Sequence, residues 1–211
     1  MSNSDQFVAE QTDTVDVIMQ STYCVLQEHG YANLSIAKIA DEAELSKSAL
    51  YNHYDGKNEL LLDFLSRFLD WFLESLSDGE TQDPQEDLMR LIDLFSIDPG
   101  AESNSIGGVL DETAIDAFIE LRAQAIHDEA FRRELLREDE AIHDRIVQII
   151  RRGIADGVFR DVDPDSVAEF ILTVLEGALF RYSLMNDATA RDVYDQLDEY
   201  IDAQLKKRSL E

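Results

Sequence analysis

Apolar residues recur at three- and four-residue steps along nearly the whole chain, and nowhere do they alternate as a half-buried strand requires. Between Asp13 and Gln27, for example, Val15, Ile18, Met19, Thr22, Val25 and Leu26 form one face of a helix. Proline, the strongest interruption of such a pattern, occurs only at Pro84, Pro99 and Pro164. Asp83–Pro84 and Asp163–Pro164 read as helix starts, with an aspartate cap and proline in the first turn. The reading is all-α, about nine helices in 211 residues. Three short N-terminal helices, residues 1–56, form one domain, and residues 57–211 form a larger helical one, entered through the long helix that starts near Lys57. Gly30 reads as a left-handed cap for the first helix and Gly157 as the stop of a helix from about Asp128 to Ala155. "DPGAESNSIGG", from Asp98, is the most loop-like stretch, and the last helix runs from about Thr189 to Lys207.

Charge sets a puzzle. The chain carries 45 acidic and 18 basic residues, a net charge of −27, which ordinarily repels nucleic acid and anionic membranes. Only five of the basic residues are lysines, and three of these, Lys38, Lys47 and Lys57, lie within twenty positions of one another. A carboxylate-rich, lysine-poor surface suits a halophile's cytoplasm, where molar salt shortens the Debye length to about 3 Å. One cysteine, Cys24, excludes an internal disulfide and fits a reducing compartment. The start, "MSNSDQFVAEQ", lacks the features of a signal peptide, and "FILTVLEGALF" is too short to span a bilayer. These features point to a cytoplasmic protein without a membrane partner.

The lysine-bearing segment reads as two short helices around a tight turn. Ser35 and Ser46 stand where N-caps belong. Ala40 is small enough for the helix crossing, and Leu45 and Leu50 pin the second helix. Its exposed face would then present Lys47, Ser48, Tyr51 and Asn52, groups that bond phosphates or read base edges in a major groove. The segment "IAKIADEAELSKSALYNHYDGKNELL" resembles the N-terminal signature of the TetR family of transcriptional regulators. That signature pairs Ile-Ala with a Gly-containing turn, then Ser-Lys-x-x-Leu-Tyr-x-His-Phe and a lysine. Ile39-Ala40, Ser46-Lys47, Leu50-Tyr51, His53-Tyr54 and Lys57 carry the match. Residues 121–178 look, more loosely, like the C-terminal domain of the choline-sensing BetI-type branch.

The resemblance implies a homodimer that binds a double-stranded palindromic operator and releases it for a small-molecule effector. Carried over by position, Ser35 and Lys47 touch phosphates, Ser48, Tyr51 and Asn52 meet base edges, and Tyr54 and Lys57 fix the DNA backbone. His53 is implied to be a packing or backbone-contact residue. The family's turn has Gly where this chain has Glu44; either the turn takes another shape here or DNA affinity is lost. In molar salt, counterion release contributes little to binding, so operator affinity should fall only shallowly with potassium chloride.

For the effector, Phe68, Trp71, Phe95 and Phe118 are the candidate pocket lining, against the plainer reading of ordinary core. An aromatic box for a quaternary ammonium competes with a site for a lipid-like or planar apolar molecule. For the dimer, Phe170 and Val174 on the nearly all-apolar helix after Pro164, with Leu197 and Ile201 on the last helix, are the candidate interface. His127, His143 and Asp139 lack the spacing of a metal site, Cys24 reads as a structural thiol, and no cofactor is implied. No Gly-rich phosphate loop or nucleophile motif marks an enzyme. The competing functional reading is a helical dimeric sensor or carrier that has lost DNA binding.

Overall fold

The computed structural model describes residues 13–77, 81–95, 112–185 and 189–207. Nine α-helices lie among the described residues: α1 (Thr14–Asn33), α2 (Ile36–Glu42), α3 (Lys47–Tyr51), α4 (Lys57–Ser77), α5 (Pro84–Leu94), α6 (Glu112–Gln124), α7 (Glu129–Ala155), α8 (Pro164–Met185) and α9 (Thr189–Tyr200). A single π-helical turn, Ile201–Leu205, continues α9. The fold is all-α, as the periodicity requires. The loop-like stretch from Asp98 lies outside the described residues.

The helix starts follow local chemistry. Asp13 accepts from the amides of Val15 and Asp16 while Asp16 reaches back to its backbone, a reciprocal capping box. Ser35, Ser46 and Asp83 each accept an amide of the following first turn, and Asp128 does the same for α7 through Ala130 at 2.9 Å. Such caps contribute about 1 kcal/mol apiece. Gly157 ends α7 at φ +75°, with Val158 donating to the Gly153 carbonyl at 2.9 Å, as a left-handed stop requires. Gly30 differs from the expected cap. At φ 69° and ψ 171° it kinks α1, which continues to Asn33.

The chain divides into two compact units, Met1–Phe72 with Gly108–Leu136, and Leu73–Gly107 with Arg137–Glu211. The first four turns of α4 and all of α6 belong with the N-terminal helices, because α6 packs along α1 and Leu60, Leu61, Phe64 and Leu65 are buried in the same unit.

In the second unit, Asp87 on α5 is buried and accepts from the Thr81 amide (2.7 Å) and hydroxyl (2.9 Å), and pairs with Arg152 of α7. Burial pushes its carboxyl up, but these donors and the guanidinium outweigh that and hold it below the usual carboxylate range. Phe159 and Lys206 form an isolated antiparallel bridge. Beside it, Arg160 clamps the end of the π turn by donating to the carbonyls of Ala203 (2.6 Å) and Lys206 (3.1 Å). The seam of α9 faces this core: Leu197 is 3% exposed and Ile201 fully buried. Both side chains are covered by their own chain.

Candidate nucleic-acid interface

The turn between α2 and α3 sets the geometry of the head. Leu45 donates to the Ala40 carbonyl (2.9 Å) and Glu44 to that of Asp41 (3.3 Å), the two bonds of a Schellman stop. That stop needs a left-handed residue, and Glu44 takes it at φ 52°. The turn therefore keeps the shape that glycine would give it. Holding a non-glycine residue there costs roughly 1 kcal/mol. Glu44→Gly is accordingly expected to stabilise the protein by about 1 kcal/mol in urea unfolding. Glu44→Ala, which keeps the strain and removes the charge, should leave stability unchanged. A glycine variant no more stable than the alanine variant would show that the turn stores no strain.

After the turn, Ser46 caps α3 by accepting from Ala49 at 3.1 Å. Leu50 is fully buried, and Ala40, 1% exposed, sits in the same core. Burying a leucine contributes about 2 kcal/mol, enough to fix which face of a five-residue helix looks outward. That outward face carries Lys47, Ser48, Tyr51 and Asn52, all exposed, with Tyr51 at 55%. Ser35 is half-buried at the start of α2, its oxygen accepting from the Lys38 amide at 3.3 Å. His53, given a packing or backbone-contact role by resemblance, is also exposed.

Tyr54 and Lys57 have partners inside the protein. The Tyr54 side chain is buried, and its hydroxyl donates to Asp63 Oδ2 at 2.6 Å. Burial and that bond hold the phenol above its ordinary range. Lys57 Nζ donates to the Tyr31 carbonyl at 3.1 Å and lies 4.4 Å from the Tyr31 ring centroid, a cation–π contact. Burial lowers its ammonium below the ordinary value, with Glu120 opposing. Tyr54 is buried and Lys57 half-buried, whereas Lys47 and Tyr51 are exposed. Asp63, Tyr31 and Glu120 escaped the sequence reading, because nothing in a one-dimensional pattern connects Glu120 with Lys57.

Below the head, Tyr23 and Leu26 of α1, Phe64, Leu65 and Phe68 of α4, and Ala117, Phe118 and Leu121 of α6 line an apolar cleft. It encloses about 350 Å³ counting its open mouth, and its walls lie close to one another. Phe68 is tilted against Phe118 with centroids 6.1 Å apart. Trp71 stands beside the cleft, 5.7 Å from Phe68, and Phe95 is buried in the other unit, its carbonyl accepting from the Tyr194 hydroxyl. Of the four expected lining residues, the cleft therefore holds Phe68 and Phe118. Among the described residues no helix is long and apolar enough to cross a membrane.

A helix-turn-helix with an exposed polar face, carried by a chain that is otherwise helical among the described residues, is the arrangement of a helix-turn-helix regulator. The comparisons narrow the class. Residues 18–64 match the model of bacterial regulatory proteins of the tetR family, and residues 102–206 that of the BetI-type transcriptional repressor C-terminal domain. A TetR transcription regulator of known structure from Haloarcula marismortui is 35% identical, covers 92% of this chain and all of its own, and superposes with a TM-score of 0.82. The chain belongs to the TetR family of transcription regulators. The HTH-type transcriptional repressor KstR2 of Mycolicibacterium smegmatis is 27% identical over 74% of this chain and 73% of its own. An uncharacterised HTH-type regulator of Mycobacterium tuberculosis is 30% identical over 97 residues. That match spans 46% of each chain, about half the length of that curated relative.

Proposed function

We propose that this TetR-family regulator is a ligand-responsive repressor that binds a palindromic operator as a homodimer. The observation that carries the reading is the outward edge Lys47–Ser48–Tyr51–Asn52, held on α3 by buried Leu50 and the intact turn at Glu44. Lys47, with Ser35, is suited to phosphates; Ser48, Tyr51 and Asn52 carry the donors and acceptors that meet base edges. Tyr54 reaches the DNA backbone only by exchanging its internal partner for it, whereas the Lys57 ammonium, with one donor on the Tyr31 carbonyl, keeps donors for a phosphate.

Pairing of two copies through α8 is supported by an exposed apolar stripe. Phe170 (43% exposed), Phe180 (51%), Leu184 (68%) and Met185 (53%) lie outward on α8, with Val174 half-buried, and Tyr200 of α9 packs on Phe170 at 4.8 Å. A two-fold dimer sets recognition helices about 34–36 Å apart. The acidic surface accords with a high-salt cytoplasm, and the 35% identical haloarchaeal structure supports the same reading.

The effector enters between α1, α4 and α6. An apolar cleft rich in rings favours a planar or lipid-like molecule over a cation, because no carboxylate is among its lining residues in the described part of the chain. Its narrowness means that an occupant spreads the helices, and such an effector releases DNA only by preferring the spread state.

Selection of bound duplexes from random DNA by the full-length protein in molar potassium chloride tests the proposal. A palindromic consensus is expected. A folded protein that enriches no sequence at any salt concentration would favour instead the sensor or carrier without DNA binding, a reading that the carboxylate of Glu44 beside the exposed edge motivates.

A further inference from the structure

The last residue of the recognition segment is tied to the helix that lines the cleft. Tyr54 follows α3 directly, its amide donating to the Leu50 carbonyl at 2.9 Å. Its ring is 7% exposed, and its hydroxyl donates to Asp63 Oδ2 at 2.6 Å. Asp63 sits in the second turn of α4, and its other oxygen accepts from Arg67 Nε at 3.1 Å. Both carboxylate oxygens are engaged, so the acceptor that meets Tyr54 is held in one orientation. The next residues of α4, Phe64, Leu65 and Phe68, line the cleft.

Charge-assisted hydrogen bonds of this kind are short and directional. A five-residue helix has little stiffness of its own. The angle at which α3 leaves the head therefore depends on what grips its ends. Ser46 and the Leu45 bond grip one end, and Tyr54 grips the other. Where the family signature carries phenylalanine, this chain's extra hydroxyl finds a half-buried acceptor.

We propose, resting on the DNA-binding reading above, that Asp63 is a positioning residue for operator binding: through Tyr54 it fixes the angle of the recognition helix on α4 and couples that angle to the turns of α4 that line the cleft. Asp63 touches no DNA in this arrangement. It acts on affinity by restricting the orientations in which Lys47 and Tyr51 are offered, so its loss blurs the geometry of recognition along with its strength.

The test compares Tyr54→Phe, Asp63→Leu and Asp63→Asn with the wild type. Each is titrated against the selected duplex and against the same duplex lengthened by one base pair at its centre, with thermal unfolding as control. Tyr54→Phe keeps the packed ring and removes the bond; it is expected to lose about tenfold in affinity for the selected duplex and to discriminate less against the lengthened one. Asp63→Leu should do the same. Asp63→Asn, whose amide oxygen still accepts from Tyr54, should retain most of both properties. A general loss of stability would weaken binding to both duplexes without changing their ratio, and asparagine would give no rescue. The inference is overturned if Tyr54→Phe and Asp63→Leu keep the wild-type ratio of affinities. A wild-type protein that binds neither duplex overturns the DNA-binding reading itself, which separates the two failures.

Discussion

Replacing Lys47 and Tyr51 together by alanine is expected to reduce operator affinity at least a thousandfold while leaving the unfolding midpoint within about 2 °C of wild type. Both side chains point outward from a helix whose inward face is fixed by Leu50, and substitutions at such surface positions shift stability by about 0.5 kcal/mol or less. In a complex each would surrender a phosphate or base-edge contact worth roughly 1–3 kcal/mol. In a two-fold dimer every loss is taken twice. Affinity measured by fluorescence anisotropy on the selected duplex, beside thermal unfolding, separates this from a folding defect. An affinity within tenfold of wild type would move the interface away from α3.

Gly153→Ala carries the largest expected cost in stability, about 3 kcal/mol. On helix propensity alone the change should help by about 1 kcal/mol. The structure opposes that gain. A Cβ at position 153 would lie 2.1 Å from Cδ2 and 2.5 Å from Cε2 of Phe159, and Phe159 is 1% exposed. The ring cannot swing toward solvent, because the chain turns back at Gly157 and is held by Arg160 at the end of the π turn. Either the ring leaves its seat or α7 gives way. For a chain of this size the expected cost corresponds to a fall in the unfolding midpoint of about 9 °C. The pair Gly153→Ala with Phe159→Ala should cost less than the sum of the single changes, since the clash is gone once the ring is. A higher midpoint for Gly153→Ala would mean that propensity wins and the ring has room to move.

The head was legible in sequence because each of its determinants is local. Asp13, Ser35 and Ser46 announce helix starts within four residues, and Ala40, Leu45 and Leu50 specify a crossing within eleven. Glu44 was legible as an anomaly, though only the backbone at φ 52° decides that the turn kept its shape. Periodicity also marked the seam of α9 correctly as apolar. It could not say what covers that seam, since an apolar face looks the same whether its own chain or a second copy buries it. Leu197 and Ile201 are buried within their own chain, and an exposed apolar stripe lies on α8. The pairing of α1 with α6 joins segments some eighty residues apart, beyond any local signal. The candidate pocket was half legible for the same reason. Phe68 and Phe118 line the cleft, whereas Tyr23, Leu26 and Ala117 enter it only through that pairing. The bond from Tyr54 to Asp63 needs a buried hydroxyl and its acceptor in one place, which spacing alone does not convey.

Chemical protection of the selected duplex by the full-length protein tests the central claim most directly. The account expects two protected major-groove segments, centred about one helical turn apart on one face of the duplex, and their disappearance with the Lys47→Ala, Tyr51→Ala double variant. Protection that survives that double variant, or that falls on a single isolated segment, would contradict it.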